Sequence, residues 1–416
     1  MRLAILAAGS RGDVQPYVAL GHGLQAAGHQ VRLLATPDFE SLVTGAGLEF
    51  VPISTAVQAE AQARMQALAE RGNLLEILSQ TGRGAEELAR ESAGRALAAC
   101  SDVDALLAGL GSLFVALAVA EKLDRPLIQA HLMPFTPTRA FPGVLTPLPA
   151  SPLTRWANAP SHNFARQMVW QMLRGADRAM RAEVLGLPPA PFFGPYAALA
   201  RRTRAVLYGY SPHVIPPPAD WDPALRVTGY WFLDPPPGWS PPAALEAFLQ
   251  AGPPPVYIGF GSMPSREPAA TAALVVEALA RSGQRGVLFA GWGGLTASDL
   301  PETVCLIGSV PHRWLFPRMA AVVHHGGAGT TGAGLAAGVP SIVTPFFGDQ
   351  PFWGQRVHAL GVGPRPIPRP RLTAAGLAAA ITAATDPAMR QAAARLGEKI
   401  RADDGPAQAA EVLAAL

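Results

Sequence analysis

Cysteine is almost absent from this chain. Cys100 and Cys305 are the only two in 416 residues, which excludes a disulfide framework and a cysteine metal cluster and fits a reducing compartment. Charge is also scarce, with 15% charged residues and a formal net charge of +3. So small an excess implies no nucleic-acid partner. Long apolar runs are missing as well. The opening stretch Met1–Gly9 is too short for a secretory leader and lacks a cleavage region. The longest run, Ala105–Ala120, falls short of the ~20 residues of a membrane-spanning helix, and Gly109 and Gly111 divide it into a strand and a helix. The expectation is a cytoplasmic protein with, at most, peripheral contact at the inner membrane face. What is plentiful is apolar sequence, at 49% of residues. That describes a folded, core-rich chain too long for one ordinary core, hence two domains.

The order of elements predicts an α/β fold. Residues 2–8 read as a buried strand, followed by a Gly9–Asp13 turn, a helix to about Ala27, and a strand at Val31–Ala35. Further strands are expected at 47–53, 105–108, 126–129 and 204–207, with residues 57–100 helical. The segment 131–200 reads as irregular and rich in Pro, Phe, Trp and Met, except for a helix around 161–185 carrying Arg166, Arg174, Arg178 and Arg181. A basic helix face of this kind is usually solvated, and a membrane-surface role is the sharper alternative. Prolines at 216–218, 235–237, 241–242 and 253–255 mark a connector. A second set follows, with strands at 256–262, 286–290, 304–307, 321–323 and 341–344 and a helical tail from Pro387. The resulting division is 1–215 as a first Rossmann-like domain, 216–242 as linker, 243–395 as a second domain, and 396–416 as a final helix.

One stretch stands out chemically. The apolar run 320–323 leads into His324-His325-Gly326-Gly327-Ala328-Gly329-Thr330-Thr331, with Gly338-Val339-Pro340 closing a short helix opened by the two threonines. A glycine turn feeding a helix N-terminus is an anion site, because unpaired N–H groups and the dipole both face the ligand. After the next strand, Asp349 and Gln350 lie at the carboxyl edge of the sheet, where open α/β sheets bind ligands. An anion grip beside two hydroxyl-binding groups suits a phosphate-linked sugar. His324 should point to the opposite face from His325 and serve the structure. Asp102-Val103-Asp104 is a literal Asp-x-Asp, but it sits at a strand entrance and reads as ordinary polar sequence there.

These residues, together with Gly9-Ser10-Arg11-Gly12-Asp13-Val14-Gln15-Pro16, resemble the signatures of family 1 nucleotide-sugar glycosyltransferases. Within them the chain is most similar to the sterol glucosyltransferases and the bacterial natural-product glycosyltransferases, over essentially its whole length. The resemblance implies the GT-B fold, two facing Rossmann-like domains with a ligand cleft between them. The last helix would cross back onto the first, acceptor-binding domain, and the second would bind the nucleotide sugar. Many relatives place a catalytic His where the sterol and natural-product subgroup has Asp, so the resemblance makes Asp13 the general base. Locally, Asp13 ahead of Pro16 also fits a helix N-cap, and His22 further along is expected to pack. Ser10 and Arg11 could meet the donor or simply build the turn. For the donor the resemblance further implies Gly261, Ser262, His325, Gly327, Gly329 and Thr330 around the diphosphate. Trp292 and Val310 would lie at the nucleobase, although Trp292 suits a core equally well, and Asp349 and Gln350 would hold the hexose. Plant relatives carry a Glu eight residues after the signature His; Ala333 stands here instead, so UDP and dTDP both stay open.

The expected reaction is inverting transfer of a hexose from a nucleotide sugar, UDP-glucose or a dTDP-sugar, to a lipophilic alcohol such as a sterol, carotenoid, polyketide or macrolide. His131, Met133, Phe135 and Phe141 are the acceptor-side candidates. No cofactor and no metal are expected, since helix terminus and hydrogen-bond donors can carry the leaving-group charge. The rival readings are a non-catalytic sugar-nucleotide binder and a sugar-nucleotide epimerase on the same fold. A nicotinamide oxidoreductase is disfavoured, because Gly9-Ser10-Arg11-Gly12 lacks the Gly-x-Gly-x-x-Gly spacing and no acidic residue ends the second strand.

Overall fold

The computed structural model describes residues 1–55, 74–146, 156–260, 268–289 and 300–416, and divides them into two compact units. Unit 1 comprises Met1–Leu233 with Asp404–Leu416, and unit 2 comprises Asp234–Asp403.

Unit 1 runs β1 (Arg2–Leu6), α1 (Arg11–Ala26), β2 (Gln30–Ala35), α2 (Glu40–Thr44), β3 (Glu49–Pro52), α3 (Leu74–Ala99), β4 (Ala105–Ala108), α4 (Leu113–Leu123), β5 (Leu127–His131), α5 (Asn158–Met180), α6 (Tyr196–Arg202), β6 (Thr203–Tyr208) and β7 (Leu225–Val227). Its seven strands pair in the order β3-β2-β1-β4-β5-β6-β7, and every pairing is parallel. Alternation along β1 assigns the faces. Leu3 and Ile5 enter one core with α1, whereas Ala4 and Leu6 enter the other with α3 and α4. Both faces are covered, so the strands read as continuous apolar runs rather than alternating ones.

Unit 2 runs α7 (Ala243–Gln250), β8 (Val256–Gly259), α8 (Pro268–Ser282), β9 (Gly286–Phe289), β10 (Val304–Ile307), α9 (His312–Leu315), β11 (Ala321–His324), α10 (Ala328–Ala337), β12 (Ser341–Val343), α11 (Gln350–Ala359), α12 (Ala374–Ala384) and α13 (Pro387–Ala402). Its parallel sheet has the order β10-β9-β8-β11-β12. The chain then ends in α14 (Gly405–Ala414), which belongs to unit 1. There Ala409, Ala410 and Leu413 join the α1 side of the core. A Cβ on Gly405 would stand 2.5 Å from the Tyr230 carbonyl oxygen, and one on Gly23 2.4 Å from Pro406 Cβ. Glycine at both positions is what lets this helix seat.

Several elements differ from expectation. The helical tail is two helices, broken at Asp403-Asp404, where Asp404 caps α14 by accepting from Ala407 N–H. The proline-rich stretch is no plain connector either. Its first part carries β7 on the edge of the unit 1 sheet, and the division falls at Leu233. The small-residue helix starts at Ala328, two residues before the expected threonines, with Gly327 as its cap. His22 is exposed on α1 rather than packed.

Candidate active site

Each sheet has a point where the strand order reverses, between β1 and β4 in unit 1 and between β8 and β11 in unit 2. In open parallel sheets the carboxyl ends of strands at such points form the ligand crevice. The loops after β1 and β11 carry the two motifs singled out above.

In unit 1, Ser10 is the N-cap of α1 and Asp13 its third residue. Asp13 Oδ2 accepts from the Ser10 N–H and from the Ser10 hydroxyl, both at 2.8 Å. This is a capping box with an acid in the place usually held by Glu. It corrects the local expectation that Asp13 itself would be the cap, since helix α1 begins earlier and Pro16 falls inside it. Gly9 makes room for it: its φ is +129°, and a Cβ there would lie 2.5 Å from Asp13 Oδ2. Asp13 is exposed, and among the described residues its Oδ1 accepts no hydrogen bond. One oxygen is thus fixed while the other faces outward. Arg11 is exposed on the same turn and donates from Nε to Gln15 Oε1. One turn on, the buried Tyr17 hydroxyl donates to the Ala130 carbonyl at 2.6 Å, which ties α1 to β5; burial first, and Asp13 second, raise its pKa. Sequence reasoning passed over Tyr17, whose partner lies 113 positions away and left no local signal.

The acceptor-side candidates separate. His131 ends β5 wholly buried, its Nε2 donating to Gln129 Oε1 at 3.0 Å and its ring 5.3 Å from Phe135 and 5.7 Å from Tyr208. Burial, then Arg166, lowers its pKa to about 3. His131 is therefore neutral and packed between Phe135 and Tyr208. Met133 and Phe135 border a cleft no larger than a water molecule, together with Val144, Leu145, His162 and Arg166. Phe141 does not reach it and sits against His162 instead, with its carbonyl accepting from His162 Nε2. The loop is anchored by Asp220, which accepts from the Thr138 hydroxyl and the Arg139 N–H. The four arginines of α5 and the following turn do not form one solvated face. Arg181 is buried between Asp177 and Glu121, and the Arg166 guanidinium lies 3.9 Å from the Tyr196 ring centroid. Asp102 and Asp104, the literal Asp-x-Asp, are held by Arg32 and by the Arg2 N–H.

In unit 2, β11 ends in the buried His324, whose Nδ1 accepts from Gly326 N–H at 3.1 Å. It serves the turn, as its position on the strand predicts. Gly326 has φ +96°, and a Cβ there would meet Val343 Cγ1 at 2.6 Å. The His325 ring folds over Gly327, where a Cβ would stand 2.5 Å from Nε2. Burial lowers the His325 pKa to about 4 and leaves its Nδ1 without a partner among the described residues. Gly327 caps α10 with no side chain, so among the described residues the first-turn N–H groups around Gly329 and Thr330 have no capping partner. After β12, Asp349 Oδ2 accepts from Trp353 Nε1 at 2.8 Å, and the buried Gln350 holds the loop by accepting from Phe346 and Phe347 N–H. Both side chains therefore shape the loop, besides anything they offer a ligand. Val310 is buried just beyond β10. Gly261, Ser262 and Trp292 lie outside the described residues.

Comparison with known proteins decides the family. Residues 3–142 match the glycosyltransferase family 28 N-terminal domain, and residues 291–416 the erythromycin biosynthesis protein CIII-like C-terminal domain. Two sterol 3-beta-glucosyltransferases of Arabidopsis thaliana are 37% and 38% identical over 99% and 98% of this chain. A third, from Emericella nidulans, is 37% identical over 99% of it. The chain belongs to this glycosyltransferase family. It spans 67% and 64% of the two plant relatives and 30% of the fungal one. Among solved structures, the glycosyltransferase SnogD from Streptomyces nogalater aligns with TM-score 0.68 at 22% identity, covering 100% of this chain and 99% of that one. SsfS6 from Streptomyces sp. SF2575, complexed with thymidine diphosphate, aligns with TM-score 0.61 at 21% identity, with both chains fully covered. That likeness shows the fold, which is GT-B. In this glycosyltransferase the Ser10–Asp13 motif falls within the first matched domain, and His325, Asp349 and Gln350 within the second.

Proposed function

We propose that this chain is a metal-independent inverting hexosyltransferase. It moves a hexose, glucose by preference, from UDP or dTDP to the hydroxyl of a lipophilic acceptor such as a sterol, carotenoid, polyketide or macrolide. The observation that carries the reading is the Asp13 carboxylate, pinned through Oδ2 by Ser10 and open at Oδ1, at the switch point of the first sheet. In this reading Asp13 takes the proton of the acceptor hydroxyl as its oxygen attacks the anomeric carbon. The bond from that carbon to the diphosphate oxygen breaks, with the electron pair leaving on the diphosphate. A carboxylate of ordinary pKa, about 4, is a weak base for an alcohol, so proton transfer accompanies attack.

On the donor side, the open N–H groups of α10 and the Thr330 hydroxyl receive the diphosphate. His325 is neutral at physiological pH and gives it one N–H rather than a full charge. Asp349, Gln350, Ser10, Arg11, Gly261 and Ser262 complete the donor contacts, with Trp292 and Val310 at the base. Charge is carried by backbone and hydrogen-bond donors, so the chemistry calls for no metal. The sterol glucosyltransferase relatives support the lipophilic acceptor.

An acceptor-by-donor screen read by mass spectrometry, run beside Asp13→Asn, tests this reading. Asp13→Asn should lower turnover by about 100-fold or more while nucleotide-sugar affinity stays within a few-fold. Near-normal turnover of the variant removes Asp13 as the base. Release of nucleotide at equal rates with and without a hydroxylated acceptor removes the transferase reading.

A further inference from the structure

Helix α10 is anchored at the end opposite its proposed ligand. Its C-cap, Gly338, takes a left-handed φ of +73°. There the chain folds back, so that Gly338 N–H donates to the Leu335 carbonyl and Val339 N–H to the Gly334 carbonyl. The next carbonyl, that of Ala336, is met from another helix. Arg401 Nη1 of α13 donates to it at 2.6 Å.

Two glycines make the seat for this contact. A Cβ on Gly397 of α13 would stand 2.6 Å from Gly338 Cα and 3.0 Å from Arg401 Nη1. One on Gly338 would stand 3.5 Å from the same nitrogen. Gly397 and Arg401 are four residues apart and share a face of α13. The backbone of α13 thus lies directly against the end of α10, with the guanidinium at the junction.

Charge gives the contact a reach beyond packing. A helix carries about half a positive charge at its N-terminus and half a negative one at its C-terminus, about 15 Å apart in a helix of this length. Among the described residues Arg401 enters no ion pair, and Glu398, one turn back, does not bridge to it. Its full charge therefore outweighs the negative end of α10. Thr331 to Ala336 are all buried, so the field between the two ends passes through protein, where salt screens it less than in solvent. An anion at the first turn of α10 would face a positive far end instead of a negative one.

We propose that Arg401 is a positioning residue for the donor. It fixes α10 and strengthens it as a receiver of the diphosphate, without touching the ligand itself. This deepens the proposed function and rests on it in one respect, that the first turn of α10 takes the diphosphate.

The test is calorimetric titration of the full chain with UDP and uridine, and in parallel with dTDP and thymidine, at low and at high salt. Wild type should bind a diphosphate more tightly than its nucleoside. Arg401→Gln should weaken the diphosphate by about three- to fivefold and leave the nucleoside unchanged, and the difference should shrink as salt rises. Arg401→Lys keeps the charge and should bind the diphosphate within about twofold of wild type. A contact that serves only the fold would lower the denaturant midpoint and weaken diphosphate and nucleoside alike, or neither. Either result overturns the inference and leaves the transferase reading standing, as does equal weakening by Gln and Lys. Wild type that binds neither diphosphate more tightly than its nucleoside removes the anion site at α10, and with it both readings. Should Arg401→Gln misfold, Arg401→His decides, because imidazole is largely charged at about pH 6 and neutral at about pH 8. Relative to wild type, its diphosphate affinity should be closer at the lower pH; a ratio that does not move overturns the inference.

Discussion

At the residue scale, Ser10 and Asp13 show one pair of side chains serving fold and chemistry together. The carboxylate that closes the α1 cap is the one proposed to take a proton, and it does both because its two oxygens have different surroundings. Ser10→Ala removes the hydroxyl donor and leaves the backbone one. Loss of a cap of this kind costs about 1 kcal/mol, readable as a shift in the denaturant midpoint. Turnover should fall by less than in Asp13→Asn, because the base survives with a looser aim. An unchanged midpoint would show that the backbone N–H alone holds the carboxylate. The short range of this motif made a helix cap legible in advance, but at Asp13; the structure puts the cap at Ser10, with Asp13 as the third helical residue. Tyr17 was not legible, because its partner is the Ala130 carbonyl, 113 positions away. The burial of His131 was hidden for the same reason, since Tyr208 comes from a different strand.

At the scale of elements, the turn after β11 depends on glycines whose missing side chains are filled by neighbours. Gly326→Ala combines a left-handed φ with a Cβ 2.6 Å from Val343 Cγ1 and 3.0 Å from the Gln350 carbonyl oxygen. The expected outcome is a loss of about 2 kcal/mol or more in unit 2, followed by chemical denaturation, with a matching loss of nucleotide affinity. Full affinity in a stable variant would argue that the turn does not shape a ligand site. Buried parallel strands were read correctly because both faces are covered and their apolar runs are unbroken, as in Val322 and Val323 of β11. Short or edge elements were not. β7 has three residues, two of them only half-buried, and follows a run of prolines. Helix α11 reads Gln350-Pro351-Phe352-Trp353-Gly354, which looks like a loop until Pro351 is seen to occupy the first turn, where its missing N–H costs nothing.

On the scale of the whole molecule, three histidines are held neutral by burial. The pKa values of His131 and His325 are lowered to about 3 and about 4, and that of His324 falls well below 6.5. In the unfolded chain each binds a proton near pH 6.5, so between about pH 6.5 and 4 the unfolded state holds more protons than the folded one. Stability must then fall as pH drops through that window. A urea titration series from pH 7 to 4 should show the midpoint declining, and His325→Gln should flatten the slope for unit 2. A pH-independent midpoint would mean that these rings are solvated.

The return of α14 to unit 1 has a consequence for how the protein is made. The ribosome must finish all of Asp234–Asp403 before Asp404–Leu416 exists, a delay of roughly 10–30 s at typical elongation rates. Throughout it, the α1 side destined to receive Ala409, Ala410 and Leu413 stands uncovered on the nascent chain. Unit 2 can complete itself first, although it is synthesised second. The earlier-made half is the one that waits, and during that wait it presents bare hydrophobic surface to chaperones.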